Sequence, residues 1–244
     1  MIRLLILLFV FSSTSQAKSL FNEDSQASYP GIRYYSAFLK KYVRSDGVLY
    51  AKAVKDLPKL KAYFKRFKKS APPEFDKSRD ALAYHINLYN LTVLIAVLER
   101  YPVKSVLKED QGQFFKLNFS FRGKQISLDD LENKIIRPKF KEPLIHFALN
   151  CASISCPPLR REVYTNKKLR SQLKSQANNY LKKKAFLSYD AKKNEITIVE
   201  LFKWYAVDFP DLVQFLNKYS PYKKIKPGAS IKYSRYNWGL NEKK

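Results

Sequence analysis

Apolar residues recur at helical spacing through most of this chain from residue 32 onward, with two short stretches of alternation between them. Ile32, Tyr35, Leu39 and Tyr42 mark a helix over 32–43, which Ser45-Asp46-Gly47 ends as a turn. Leu57, Leu60, Phe64 and Phe67 form a second stripe whose other face is lysine-rich, and Ala71-Pro72-Pro73 breaks it. Residues 79–100 are apolar almost all round, with Pro102 just past their end, which predicts a central, buried helix. Phe115, Leu117, Phe119 and Phe121 then alternate up to Arg122-Gly123, with a short return through Ile126, so a hairpin is expected over 114–127. Ser127 and Asp130 fit the capping pattern, so a helix is expected from Leu128 to a stop before Pro138. A lysine-rich helix follows over 166–184, then a second hairpin over 186–189 and 195–199, then short helices over 201–205 and 212–219. The aromatic tail 231–240 carries Tyr233, Tyr236 and Trp238, and should dock on the body as a strand or ordered coil. No internal repeat or long linker interrupts 31–244, which predicts one α+β domain, predominantly helical, with a central buried helix and short hairpins.

Polar residues set on these apolar faces carry more information than the faces themselves. At about 100° per residue, Leu128, Leu131, Ile135 and Ile136 share one arc, and Glu132 falls inside it. Asp129 and Asp130 complement the helix dipole of the first turn, but Glu132 has no such reason. It must pair with a cation, bond to backbone or carry a raised pKa, any of which makes it a site candidate. On the central helix, Asn87 and Asn90 read first as core amides that fix neighbouring loops, and His85 as a structural histidine.

Composition narrows the class. With 45% apolar and 15% aromatic residues the 244-residue chain can bury a substantial core. Lys and Arg number 46 against 21 acidic residues, a formal charge of +25. That charge suits anionic cell-envelope components or peptides as partners, but the lysines are scattered, so a solvated surface is the plainer reading and no specific nucleic-acid binding is expected. Residues 1–17 read as a cleaved signal peptide, with Arg3, the apolar run 4–11 and the small-x-small Ser15-Gln16-Ala17. A polar leader, 18–30, follows. The apolar run is too short to span a bilayer, and no later stretch reads as long and uncharged enough, so a periplasmic or secreted protein is expected.

The only two cysteines, Cys151 and Cys156, fall in Leu-Ile-His-Phe-Ala-Leu-Asn-Cys-Ala-Ser-Ile-Ser-Cys-Pro-Pro-Leu, 144–159, with His146. An apolar run delivers them to a small-residue bend stopped by Pro157 and Pro158. Three chemistries compete. The thiols can close a disulfide, which removes any nucleophile. Cys151 can stay free as a nucleophile with His146 as general base and a carboxylate or amide orienting the ring. A zinc site from His146, Cys151, Cys156 and Glu132 matches no standard spacing, and no metal or cofactor is expected. An ideal strand turns His146, Ala148 and Asn150 to one face and Cys151 away, and an ideal helix pairs His146 with Asn150. A Cys151–His146 contact therefore requires a turn.

Five motifs resemble, in order and over nearly the whole chain beyond the leader, the family called domain of unknown function 547. They are Ala-Tyr-His-Ile-Asn-Leu-Tyr-Asn at 83–90, Ser-Leu-Asp-Asp-Leu-Glu at 127–132, the cysteine segment at 145–159, Phe-Lys-Trp-Tyr at 202–205 with Asp208-Phe209, and Tyr-Asn-Trp-Gly-Leu-Asn at 236–241. The resemblance implies a polar set of Glu132, His146, Cys151 and Cys156 supported by Asn87 and Asn90, and no settled reaction. Relatives resemble this chain except for Trp at His85, His at Asn133 and Arg at Leu144; the last would place a cation beside His146 and Glu132.

The expectation that emerges is a secreted or periplasmic thiol-dependent hydrolase or transferase for peptide-like or cell-envelope amides. Cys151 is its nucleophile, His146 its base and Glu132 an orienting or stabilising group, with Cys156, Asn87, Asn90 and Asn150 in support. The alternative is a non-catalytic envelope module with a Cys151–Cys156 disulfide and a basic surface for anionic partners.

Overall fold

In the computed structural model, residues 31–108 and 113–244 are described. The expected signal segment 1–17 and the leader 18–30 lie outside them.

The helix α1 (Ile32–Tyr42) turns Ile32, Tyr35, Phe38, Leu39 and Tyr42 inward. It runs into a two-residue ribbon, β1 (Val43–Arg44) with β2 (Gly47–Val48), across the expected Ser45-Asp46 turn. After the short α2 (Tyr50–Ala53), α3 (Leu57–Lys69) buries Leu60, Tyr63 and Phe67, so Tyr63 takes the buried place expected of Phe64, which sits at the margin. The central helix α4 (Arg79–Arg100) begins where Ser78 Oγ accepts from Ala81 N at 3.1 Å. Every residue from Ala81 to Ile95 is buried. By length and hydropathy α4 is apolar enough to cross a membrane, contrary to the reading of the sequence, but its apolar length is covered by protein on all sides.

The first hairpin pairs β3 (Asn118–Phe121) with β4 (Lys124–Ser127) through Arg122 at φ 53° and Gly123 at φ 74°. Both turn residues are left-handed, as the tight hairpin turn requires. It starts later than expected, because Phe114–Lys116 winds into a 3-10 turn. Ser127 and Asp130 form the reciprocal capping box that opens α5 (Leu128–Asp130). The chain then widens into a π-helical turn, Leu131–Ile136, and continues as α6 (Arg137–Phe140) through Pro138 rather than stopping before it. A proline clashes with the carbonyl of a regular α turn; here Arg137 N reaches back to Glu132 O, and the wider turn lets the helix pass.

The segment Pro143–Phe147 is a 3-10 helix, neither ideal helix nor strand. Beyond it lie α7 (Leu169–Leu181) and the antiparallel pair β5 (Leu187–Asp190) and β6 (Glu195–Val199). The short α8 (Leu201–Trp204) and α9 (Leu212–Tyr219) follow, and β7 (Ser230–Ser234) closes the sheet in parallel to β6. The last ten residues run back over the body as a strap. Ile154 N donates to Gly239 O at 2.8 Å and Asn241 N donates to Ala152 O at 3.0 Å, fastening the tail across the cysteine loop. The fold is mixed α+β and mostly helical.

Candidate functional site

The cysteine loop is held in place by amides. Asn90, from the middle of α4, donates from Nδ2 to Ala148 O at 2.9 Å and accepts from Asn150 N at 2.8 Å. Asn150 in turn accepts from Ala152 N at 3.0 Å and donates to Pro157 O at 2.8 Å, so its side chain closes the loop on itself. Asn87 does the same for a second segment, donating to Tyr164 O at 2.8 Å and accepting from Tyr164 N at 3.0 Å. Buried backbone groups need partners, and these asparagines supply them where the chain has no regular structure. The bend itself falls at Ala152, a buried residue at φ 60°, a left-handed conformation that non-glycine residues adopt at a cost. It turns the chain immediately after Cys151.

Both cysteines are free thiols in this structure. The two sulfurs differ in environment. Cys156 is buried; its Sγ accepts from Cys151 N at 2.9 Å and faces Leu149 O at 3.7 Å, and burial pushes its pKa well up. Cys151 is half-buried and meets two hydroxyls, Ser153 Oγ at 3.0 Å and Tyr236 Oη at 3.1 Å, which also meet each other at 3.1 Å. Burial alone would raise its thiol, but hydrogen bonds from Cys156, Ser153 and Tyr236 outweigh it and leave the pKa below that of an ordinary thiol.

His146 rides on the 3-10 helix and its bond is to Asp208, Nε2 to Oδ2 at 2.7 Å, rather than to Cys151. Arg137 donates from Nε to the same Oδ2 at 2.7 Å, so a guanidinium from α6 supplies the cation that Leu144 does not. Burial drives the His146 pKa down to about 4 against the pull of Asp208, so the ring is neutral. With Nε2–H given to Asp208, Nδ1 is the basic nitrogen. Burial would lift Asp208, but Arg137 and His146 overcome it and hold the carboxylate below its usual range. The His146 ring lies 4.0 Å from that of Tyr205, and the Arg137 guanidinium lies 4.9 Å from the same ring.

Glu132 is 7% exposed and sits in the π-helical turn, a distortion frequent at functional sites. Its partners are the hydroxyls of Tyr205 and Tyr89, and burial exceeds their effect, raising its pKa. A cavity of about 130 Å³ joins these groups: Cys151, Cys156, His146 and Glu132 all line it, with Tyr89, Tyr205 and Tyr236 between them and Trp204 and Trp238 on its walls. The fold therefore brings Glu132, His146, Cys151 and Cys156 to one cavity, while Asn87, Asn90 and Asn150 brace the chain behind it. Asp208, Tyr205, Ser153, Tyr236 and Arg137 carry bonds at the site that no local pattern in the sequence assigns to them. Two spacings only bring neighbours within reach: Tyr205 and Asp208 stand three apart, one turn of a helix, and Arg137 follows Glu132 by the five residues of a π turn. Among the described residues no group of three or more His, Cys, Asp and Glu is arranged to hold a metal. His85 stays apart from the site; its Nδ1 is 2.6 Å from Ala81 O, and its ring packs near Phe121 and Phe140.

Residues 74–181 match the model of a family described as a protein of unknown function, DUF547. The match supports a DUF547 assignment and covers less than half of the chain. No curated protein and no solved structure matches the chain. The DUF547 segment contains Glu132, His146, both cysteines and the three asparagines, and it is narrower than the motif resemblance, which also took in 202–209 and 236–241. The remaining walls of the cavity, Leu201, Trp204, Tyr205, Tyr236 and Trp238, come from beyond the matched residues.

Proposed function

We propose that this protein is a thiol-dependent hydrolase or transferase acting on amides of the peptide-like, cell-envelope kind, outside the cytoplasm. The observation that carries the reading is the Cys151 sulfur held between the Ser153 and Tyr236 hydroxyls in a cavity shared with Glu132 and His146. Cys151, as thiolate, attacks the amide carbonyl and forms a thioester as the C–N bond breaks. The leaving amine takes its proton from Glu132, whose burial favours the protonated carboxyl. His146, neutral and held by Asp208, then draws a proton from the water or acceptor that cleaves the thioester and returns the thiolate. The location rests on the signal-like segment 1–17, and the +25 charge favours anionic envelope components nearby.

The test is acylation of the mature protein with a small activated ester and an anilide, followed by mass mapping. The reading expects an acyl group on Cys151 that hydroxylamine removes, and loss of turnover in Cys151→Ala. Turnover that survives Cys151→Ala overturns it.

A further inference from the structure

The cavity is lined by acidic groups in a chain that is strongly basic. In a protein of formal charge +25, the ionisable side chains on its walls are Asp129, Glu132, His146, the two thiols and tyrosines, and among the described residues no lysine or arginine lines it. His146 is neutral there. The Arg137 guanidinium acts on Glu132 through space, but it is bound to Asp208 and lines a different cavity with it. Lys116 acts on Asp129 from outside.

The rest of the wall is aromatic. Trp204, Tyr236 and Trp238 form one cluster, with ring centroids 4.9 Å apart for Trp204–Tyr236, 4.6 Å for Tyr236–Trp238 and 5.5 Å for Trp204–Trp238, and Phe115 extends it at 6.1 Å from Trp238. Trp204 is 45% exposed, so the cluster reaches the mouth. Aromatic walls with carboxylates beside them are the chemistry that recognises an alkylammonium, since ring faces attract a cation that has left water. An anion would meet the Asp129 carboxylate and the Cys151 sulfur, with no cationic side chain on the wall to receive it.

We propose that this cavity takes the amine half of the substrate, a primary alkylamine that is cationic when free. This rests on the thiol-transfer reading and deepens it. Cleavage of an amide by Cys151 releases an amine that becomes an ammonium beside Glu132, and the same pocket presents an incoming amine to the thioester. In that second direction the bound ammonium first gives one proton to the Glu132 carboxylate, the neutral amine nitrogen bonds to the acyl carbon, the C–S bond breaks, the thiolate returns to Cys151, and the second N–H proton passes through His146 to water.

Both tryptophans of the chain line this one cavity, so intrinsic fluorescence reports on its occupancy. The mature protein is titrated with n-butylamine, n-butanol and butyrate, which share a four-carbon chain and differ in charge. Saturable quenching is expected with butylamine, with butanol at least about tenfold weaker, a difference of about 1.4 kcal/mol, and none with butyrate. Asp129→Asn, a change at an exposed position, is expected to weaken butylamine and leave butanol unchanged. Butanol binding as tightly as butylamine, or butyrate binding more tightly, overturns the proposal. A second arm adds butylamine to acylated protein and looks for the butylamide. An acyl-Cys151 that forms while butylamine neither quenches nor is acylated sinks the amine site and leaves the thiol reading standing. Selective butylamine quenching with no acyl-Cys151 does the reverse.

Discussion

Replacing Asn90 with alanine separates the central helix from the reactive loop and tests whether the loop is positioned as described. The side chain is 3% exposed, and its two bonds, to Ala148 O at 2.9 Å and from Asn150 N at 2.8 Å, cross 58 and 60 residues of sequence. Truncation leaves one buried carbonyl and one buried N–H without this partner, and each orphaned group costs about 1–3 kcal/mol. The expected loss is roughly 2–6 kcal/mol, a large share of the 5–15 kcal/mol that typically separates folded from unfolded domains. Urea unfolding of wild type and variant measures it. In the same samples, iodoacetamide labelling below the unfolding midpoint is expected to lose its preference for Cys151, because Asn150 no longer sets the bend. A loss below about 1 kcal/mol with the labelling preference unchanged refutes the reasoning, since Asn90 would then be neither a strut nor a positioning residue.

Three further outcomes follow from particular bonds. Tyr236→Phe removes one of the two hydroxyls at Cys151 Sγ, so its labelling profile is expected to move to higher pH, and an unmoved profile denies Tyr236 a role. Acidification is expected to destabilise the protein: burial lowers both His85 and His146 from 6.5 to about 4, the unfolded chain binds those protons first, and stability present at neutral pH is lost as pH falls from about 6.5 towards 4. At about 1.4 kcal/mol per pH unit, each histidine contributes roughly 3 kcal/mol to that loss; stability that stays flat between pH 7 and 5 contradicts it, and a His85 variant with a neutral side chain should show the shallower acid limb. Removing residues 235–244 deletes Tyr236, Trp238 and the strap bonds to Ala152 and Ile154, so hydrogen exchange over 150–156 is expected to rise, whereas unchanged protection there makes the strap ornamental.

The helices were legible because their periodicity is local: α1, α4 and the capping box at Ser127 depend on residues within a few turns of one another. Glu132 was legible for the same reason, as an acid set on an apolar arc. The bonds at the site were not, because they join distant segments: Asp208 meets His146 across 62 residues and Tyr236 meets Cys151 across 85. Composition pointed to a basic surface and gave no sign of an acidic, aromatic-walled cavity beneath it. The π turn escaped too, since Pro138 reads as a stop when a regular α helix is assumed.

The central claim is that Cys151, and not Cys156, is the reactive thiol. The direct measurement is the rate of iodoacetamide labelling at each cysteine of the mature protein from pH 5 to 10, mapped by mass. The account predicts that Cys151 labels at a pH below the ordinary thiol range while Cys156 stays unlabelled until the protein unfolds. Equal labelling of the two, or a Cys151 that titrates like an ordinary thiol, contradicts it.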